Sequence, residues 1–258
     1  MNKKSKNKKN LICAVMIGRA GSKGFPGKNI AKILKRFVCE YPLIACKKSK
    51  YVKKIFISTN CPTISKVGKK YGATLLKRPN YLATNKALGE EVFRDAYIKI
   101  KKLLKLENKS VELIVLLMAN APTITGKLID KGIKILKKNQ SLDSAVSTSV
   151  YNMWSPLRAR RLNKDNTLKP FVPFETFGNP KTLNCDRDSQ GDVHFADMSV
   201  SIVRPHCLEK LESGILPQKW MGKKIAPIHS SGGCDIDYEW QIPMVEFWLK
   251  KQGYKNKK

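Results

Sequence analysis

An apolar run, Leu11–Ile17, passes without a break into the stretch IGRAGSKGFPGKN, from Ile17 to Asn29. This junction constrains the fold more than any other part of the chain. A short apolar run bounded by glycine reads as a buried strand. A glycine-rich turn behind it lets a ligand approach the backbone amides closely. Gly18, Gly21, Gly24 and Gly27 recur at every third position, with Arg19, Lys23 and Lys28 threaded between them. Amides converging from such a turn bind an anion, and the cations neutralise the remaining charge of a polyphosphate. A strand running into this loop therefore reads as a cradle for a nucleoside triphosphate. The spacing matches neither of the common glycine loops: Ser22 stands where a Walker loop has its first glycine, Asn29 follows Lys28, and G-x-G-x-x-G is absent. The alternative is a flexible surface loop solvated by its lysines.

Downstream, apolar runs alternate with helical periodicity. Strands are expected at Lys54–Thr59, Ala73–Leu76, Val111–Met118 and Ser144–Ser149, and helices at Tyr41–Ser49, Pro62–Tyr71, Ala87–Lys105 and Gly126–Lys138. In Ala87–Lys105, Leu88, Val92, Ala96, Ile100, Leu103 and Leu104 recur at three- and four-residue spacing. Val111–Met118 is apolar enough for a parallel strand covered on both faces. The rhythm implies an α/β fold, a mostly parallel sheet with helices on both faces, whose ligands bind at the carboxyl ends of the strands. The expected organisation is a disordered basic tail over residues 1–10, one domain over 11–252 and a second basic tail over 253–258.

Within the domain, Tyr151–Val193 breaks the rhythm. It holds Pro156, Pro170, Pro173 and Pro180 and no clean helical pattern. A structureless stretch of that length reads as a functional insertion or a dimerisation arm. Trp154, Phe171, Phe174 and Phe177 would then pack on a second subunit. Asp197–Val203 reads as a strand, and the last helix follows Cys234-Asp235-Ile236-Asp237.

A chain of 258 residues can bury a large core. No apolar run approaches the roughly 20 residues needed to span a bilayer. Leu11–Ile17 lacks the cleavage site of a signal peptide, so a cytoplasmic location and no membrane partner are expected. The seven cysteines are scattered without a C-x-x-C pair, which indicates neither a zinc site nor a disulfide framework. Fifty Lys and Arg against 20 Asp and Glu give a net charge of +30. Such charge binds phosphate backbones loosely. Pairs such as Lys47–Lys48, Lys69–Lys70 and Lys137–Lys138 are spread along the chain, however, and no nucleic-acid-binding motif accompanies them. No specific nucleic-acid partner is expected.

A polyphosphate cradle calls for a divalent cation, and Mg²⁺ is the expected cofactor. It takes one or two carboxylates and leaves its other positions to water and phosphate oxygens. Asp235 and Asp237 are the candidates: two residues apart in an extended segment, they share one face. Capping of the following helix is the competing reading. Glu239 reads as a first-turn acid complementing the helix dipole.

Together these residues resemble the acylneuraminate cytidylyltransferases, the enzymes that make CMP-activated sialic acids and related nonulosonates. The family's opening loop, P-A-R-x-x-S-K-G-x-x-x-K-N, is matched from Ile17 to Asn29 except at Pro-Ala. Its K-R-P and L-A-T are matched by Lys77-Arg78-Pro79 and Leu82-Ala83-Thr84, and its late D-x-D by Asp235 and Asp237. Departures fall on the acceptor side. Met118-Ala119-Asn120-Ala121-Pro122 replaces Q-P-T-S-P, Asn85 replaces an aspartate, and Arg187-Asp188-Ser189-Gln190-Gly191-Asp192 stands in the region of R-R-Q-D.

The resemblance implies a Rossmann-like nucleotidyltransferase fold, a homodimer, and Mg²⁺-dependent transfer of a cytidylyl group from CTP to a sialic-acid-like sugar acid, with release of pyrophosphate. It implies that Gly18, Arg19, Gly21, Ser22, Lys23, Gly24, Lys28 and Asn29 surround the nucleotide's phosphates and that Arg78 lies near its base or ribose. It makes Arg19, Lys23 and Asp235 catalytic, puts Mg²⁺ on Asp235 and Asp237, and sets Met118, Asn120, Arg187 and Gln190 around the acceptor. His194, His206 and His229 are isolated and read as structural. Two other functions compete: a sugar nucleotidyltransferase of the same architecture using a sugar phosphate and another NTP, and a basic nucleic-acid-binding or scaffold protein with a degenerate nucleotide fold.

Overall fold

The apolar run at the start of the chain becomes the middle of the sheet, because Leu11–Met16 is buried on both faces. A computed structural model describes residues 8–21, 24–184, 186 and 191–256. Ser22, Lys23, Arg187 and Gln190, all expected in the site, lie outside the described residues. In chain order the elements are β1 (Lys9–Ile17), a ribbon of β2 (Lys32–Ile33) and β3 (Arg36–Phe37), α1 (Glu40–Lys48), β4 (Lys54–Thr59), α2 (Pro62–Lys70) and β5 (Thr74–Lys77). There follow α3 (Gly89–Leu106), β6 (Lys109–Met118), α4 (Gly126–Lys138) and β7 (Ser144–Val150). The remainder comprises the ribbon β8 (Arg160–Leu162) and β9 (Leu168–Pro170), then β10 (His194–Val203), α5 (Pro205–Glu209), β11 (Ile225–His229) and α6 (Ile242–Lys251).

Seven strands form one sheet in the order β11-β7-β10-β6-β1-β4-β5. β1 pairs in parallel with β4 and β6, and β4 with β5. β10 is the antiparallel member, inserted between β6 and β7. Alternation along β1 divides the core. Ile12, Ala14 and Met16 pack with Leu43 of α1, Ile64 of α2 and Ile129 of α4. Leu11, Cys13 and Val15 face Phe93 and Ile100 of α3 and Leu208 of α5. A third cluster joins Ile33, Val38 and Tyr41 to Ile236, Val245 and Leu249. It docks α6 and the segment before it onto the stretch that follows the glycine loop.

The expected architecture holds, with differences that have physical causes. β1 starts inside the expected tail, because Lys9 and Asn10 pair with Lys109 and Ser110. At the other end Tyr254 packs edge-on against Tyr41, 5.1 Å between ring centres, so the second tail is partly anchored. β10 starts at His194 and carries a wide bulge. Ala196 opposes Thr148 and Ser201 opposes Val146, so the β10 residues between them face Ser147 alone. Met198 takes φ 59° in that bulge.

In Tyr151–Val193 the described residues form short 3-10 turns and the β8–β9 ribbon. Trp154 and Phe171 are exposed as expected, but Phe174 and Phe177 are half-buried, and the Arg160 guanidinium lies 5.3 Å from the Phe174 ring centre. The described cysteines are buried and free, and burial pushes the Cys13 thiol up to about 12. Among the described residues no helix is long and apolar enough to cross a membrane.

Asp143, just before β7, ties three elements together. It accepts from the amides of Lys223 (2.7 Å) and Lys224 (2.9 Å) ahead of β11 and pairs with His206 Nε2 of α5 at 2.9 Å. Burial alone would raise its pKa, but the Lys224 and Lys223 amides and His206 outweigh it and hold the carboxyl below its ordinary value. A carboxyl depressed in the folded state contributes stability above its unfolded pKa and loses it as pH falls through the folded one. Asp143→Ala is therefore expected to lower unfolding free energy at pH 7 by about 1–3 kcal/mol. The penalty should shrink as pH falls below the ordinary aspartate range and through the depressed pKa of the folded state. Urea titrations across pH measure both.

Candidate functional site

β1 and β6 are neighbours whose chains leave in opposite directions, β1 toward β4 and β6 toward the β10 side. Their carboxyl ends therefore open a crevice, the place where such sheets bind ligands. A cleft of about 370 Å³ lies there, large enough for a small organic ligand. Arg19, Lys28, Asn29, Arg78, Asn120 and Asp237 supply its polar lining, and Ile17, Leu82, Ala87, Val92 and Met118 its apolar lining, with Tyr238 beside them.

The glycine loop is pinned to the sheet rather than free. A Cβ on Gly18 would stand 2.5 Å from Ala119 Cβ, so only glycine lets the loop leave β1 pressed against the end of β6. The buried Asn29 donates from Nδ2 to the Arg19 carbonyl at 3.0 Å, and Asn60 Oδ1 accepts from the Ala20 amide at 3.0 Å. Arg19 Nη1 donates to the Gly21 carbonyl at 2.7 Å, and Gly21 takes φ 75°. Gly24 lies against the Asp237 carbonyl, 3.1 Å from where a Cβ would stand. Gly18, Arg19, Gly24, Lys28, Asn29 and Arg78 thus meet at one cleft, while Gly21 stands in the loop beside it. Asn29 also has a local task, closing the loop on itself.

Arg78 is buried, and among the described residues its donors meet only Ser58: Nε reaches Oγ at 3.2 Å and Nη2 the carbonyl. No ion pair among the described residues includes it. Desolvation, with the charge of Arg19 behind it, pushes Arg78 down to about 10, which leaves it cationic at neutral pH. A buried cation held by neutral partners at the wall of a cleft favours an anionic or carbonyl-bearing ligand.

The two aspartates differ in environment. Asp237 is exposed and ion-paired with Lys28. Asp235 is half-buried: Asn120 Nδ2 donates to its Oδ2 at 3.1 Å and to the Ile236 carbonyl at 3.0 Å, while the Ile236 amide donates to the Asn120 carbonyl at 2.8 Å. Burial and then the charge of Asp237 push the Asp235 carboxyl up, against Lys28 and Asn120, which pull it down. Among the described residues no hydrogen bond runs from an amide of the following turn or of α6 to either aspartate, as capping would require; Gln241 Oε1 instead reaches back to accept from the Asp237 and Tyr238 amides at 2.6 and 2.8 Å.

Two carboxylates that disfavour each other's charge, one of them half-buried, form a donor set that a divalent cation relieves. A pair suits Mg²⁺, which needs one or two carboxylates beside phosphate and water. The described residues hold no cluster of three or more His, Cys, Asp or Glu that could bind a metal.

Of the expected acceptor residues, Met118 is half-buried on the apolar side, with Gly89 of α3 opposite. Asn120 lines the cleft, but both its amide hydrogens are engaged, so a ligand can meet only its Oδ1. Sequence reading missed Ser58, Asn60, Thr123, Ser149 and Asp197. One signal was available: buried strand β7 carries hydroxyls at alternate positions, Ser147 and Ser149, and inward hydroxyls need a polar partner.

Residues 14–209 match the family model described as cytidylyltransferase. Post-translational flagellin modification protein B of Campylobacter coli is 33% identical over 251 residues, covering 96% of this chain and 98% of that protein. The CMP-N,N'-diacetyllegionaminic acid synthase of Campylobacter jejuni is 36% identical over 113 residues, 43% of this chain and 46% of that protein. Among solved structures, a CMP:2-keto-3-deoxy-manno-octonic acid synthetase complexed with CTP has a TM-score of 0.65, covering 94% of this chain and 100% of that one at 11% identity. At that identity the likeness is one of fold.

The Asn120 clamp can be tested directly. Asn120→Ala keeps the backbone bond to Ile236 but removes both side-chain donors. Amide exchange at Ile236 and Asp237 is expected to quicken by about 10-fold, the worth of one or two hydrogen bonds. Exchange in the central strands β1 and β6 should stay unchanged. Exchange followed by mass spectrometry or NMR reads both.

Proposed function

The chain belongs to the cytidylyltransferase family, and we propose that it couples CTP to a nonulosonate sugar acid, giving the CMP-sugar and pyrophosphate. One observation carries the reading: at the switch point between β1 and β6, the cleft gathers Arg19, Lys28, Arg78 and Asp237 across from an apolar wall. The cationic side suits a triphosphate. Arg19 holds the phosphates, and Lys28 exchanges its Asp237 partner for a phosphate oxygen. Arg78 faces the base or ribose. Asp235 and Asp237 would hold Mg²⁺, whose charge when bound offsets that of the phosphates.

In the reaction the acceptor hydroxyl oxygen forms a bond to the α-phosphorus, the hydroxyl proton is lost, and the bond to the pyrophosphate oxygen breaks. The side chains contribute position and charge rather than a covalent intermediate. On the acceptor side, Met118 stands with Val92, Ala87 and Leu82. That wall favours acyl or deoxy substituents over free hydroxyls, since a buried hydroxyl without a partner costs about 1–3 kcal/mol. The Campylobacter jejuni relative, a synthase for a CMP-linked diacetylated sugar acid, supports the same class. The exposed Trp154 and Phe171 support a homodimer through the 151–193 arm, and buried free thiols support a cytoplasmic location.

Thermal shift with each of the four NTPs and Mg²⁺ tests the nucleotide half. CTP is expected to raise Tm most, since a ligand bound to the native state stabilises it by mass action. Equal shifts would remove the cytidylyl reading. The acceptor half is tested by kcat/KM for N,N'-diacetyllegionaminic acid and N-acetylneuraminate. The diacetylated sugar is expected to be preferred, and Met118→Gln to narrow the gap. A preference for N-acetylneuraminate in the wild type would refute the apolar-wall reading.

A further inference from the structure

Asp197 is buried in the β10 bulge, only 5% exposed, and is in no ion pair among the described residues. Neutral donors hold it. Ser147 Oγ and the Ser199 amide (3.1 Å) donate to Oδ1, and Ser149 Oγ donates to Oδ2 at 2.7 Å. Keeping an unpaired carboxylate out of water is expensive, and an apolar side chain there would cost less. The arrangement makes sense through what the hydroxyls do next.

With its proton committed to Asp197, Ser149 Oγ can only accept, and it accepts from the Gly233 amide at 3.0 Å. A Cβ on Gly233 would fall 2.4 Å from Asp197 Oδ2, so the backbone comes down directly onto the carboxylate, as only glycine allows. One residue on, Thr123 Oγ1 accepts from the Cys234 amide (2.8 Å) and donates to the Cys234 carbonyl (2.9 Å). Ser199 Oγ, 2.8 Å from the same hydroxyl, must then be the donor to it. Asn120 takes over at Asp235 and Ile236. The segment carrying both aspartates is hung from hydroxyls around one buried charge.

We propose that Asp197 is a positioning residue for the divalent-cation site. Through Ser149 and Gly233, and through the bulge that presents Ser199 to Thr123, it sets where Asp235 and Asp237 stand. The inference rests on the assignment of those aspartates to Mg²⁺. Its consequence is selective: cation binding depends on Asp197, whereas the phosphate loop, built on Asn29, Ser58 and Asn60, does not.

Mn²⁺ serves as the probe for the full chain with saturating CTP, its half-saturation read from water-proton relaxation. CTP binding in EDTA, by calorimetry, and Tm are the controls. Asp197→Ala is expected to raise Mn²⁺ half-saturation by about 10-fold or more, as removal of an outer-shell group does, with metal-free CTP affinity unchanged within about twofold. Asp197→Asn, which keeps one acceptor oxygen, should fall between Asp197→Ala and wild type. If Asp197→Ala leaves Mn²⁺ binding unchanged while Asp235→Asn weakens it, the positioning role is overturned and the metal assignment stands. If Asp235→Asn also leaves it unchanged, the metal assignment fails and the inference with it. Should Asp197→Ala not fold, Ser149→Ala decides: a rise of about 5-fold is expected for the loss of one hydrogen bond, and no change overturns the proposal.

Discussion

The segment from Gly233 to Asp237 does not pair as a strand, and the amides and carbonyls of Gly233, Cys234 and Ile236 are nevertheless all hydrogen-bonded. Buried amides and carbonyls must find partners somewhere. In this protein they find them on β7 and on the stretch after β6: Ser149 Oγ for the Gly233 amide, Thr123 Oγ1 for Cys234, and for Ile236 the side-chain amide and backbone carbonyl of Asn120. The aspartate side of the site depends on that arrangement. It holds Asp237 beside Lys28 and so joins the last part of the chain to the first.

The third apolar cluster supports the same join from outside. Ile236, Val245 and Leu249 pack on Ile33, Val38 and Tyr41, residues that follow directly on the glycine loop. Trp248 Nε1 adds a bond to the Ser231 carbonyl at 2.7 Å. Loop and aspartate segment are thereby fixed to one another as well as to the sheet. A site assembled on packed elements holds its geometry better than one on a free loop.

Charge in the cleft is divided by burial. Arg78 is buried among neutral groups, Asp235 is half-buried beside a second carboxylate, and Lys28 pairs with the exposed Asp237. A pair open to solvent on its Asp237 side is partly screened and contributes modestly to stability. Under the proposed function it would be exchanged for stronger partners, a triphosphate and its cation.

The sequence alone determined most of the large helices and sheet strands and the glycine loop behind β1, because both are written in local chemistry. Three- and four-residue spacing marked α3, an unbroken apolar run marked β6, and glycines interleaved with cations marked the loop whose Gly18, Arg19, Lys28 and Asn29 do meet at the cleft. The resemblance reached the right family for the same reason. What only the tertiary structure decided was pairing at a distance. That β10 runs antiparallel between β6 and β7, and bulges opposite Ser147, is a matter of register, which an alternating pattern such as DMSVSIV leaves open. The contact of Asp197 with Gly233, and the engagement of Asn120 by Asp235, join residues far apart in the chain through hydrogen bonds that no periodicity encodes. Local spacing dictates which side chains share a face, whereas the partner of a buried polar group is chosen by whichever strand folds against it.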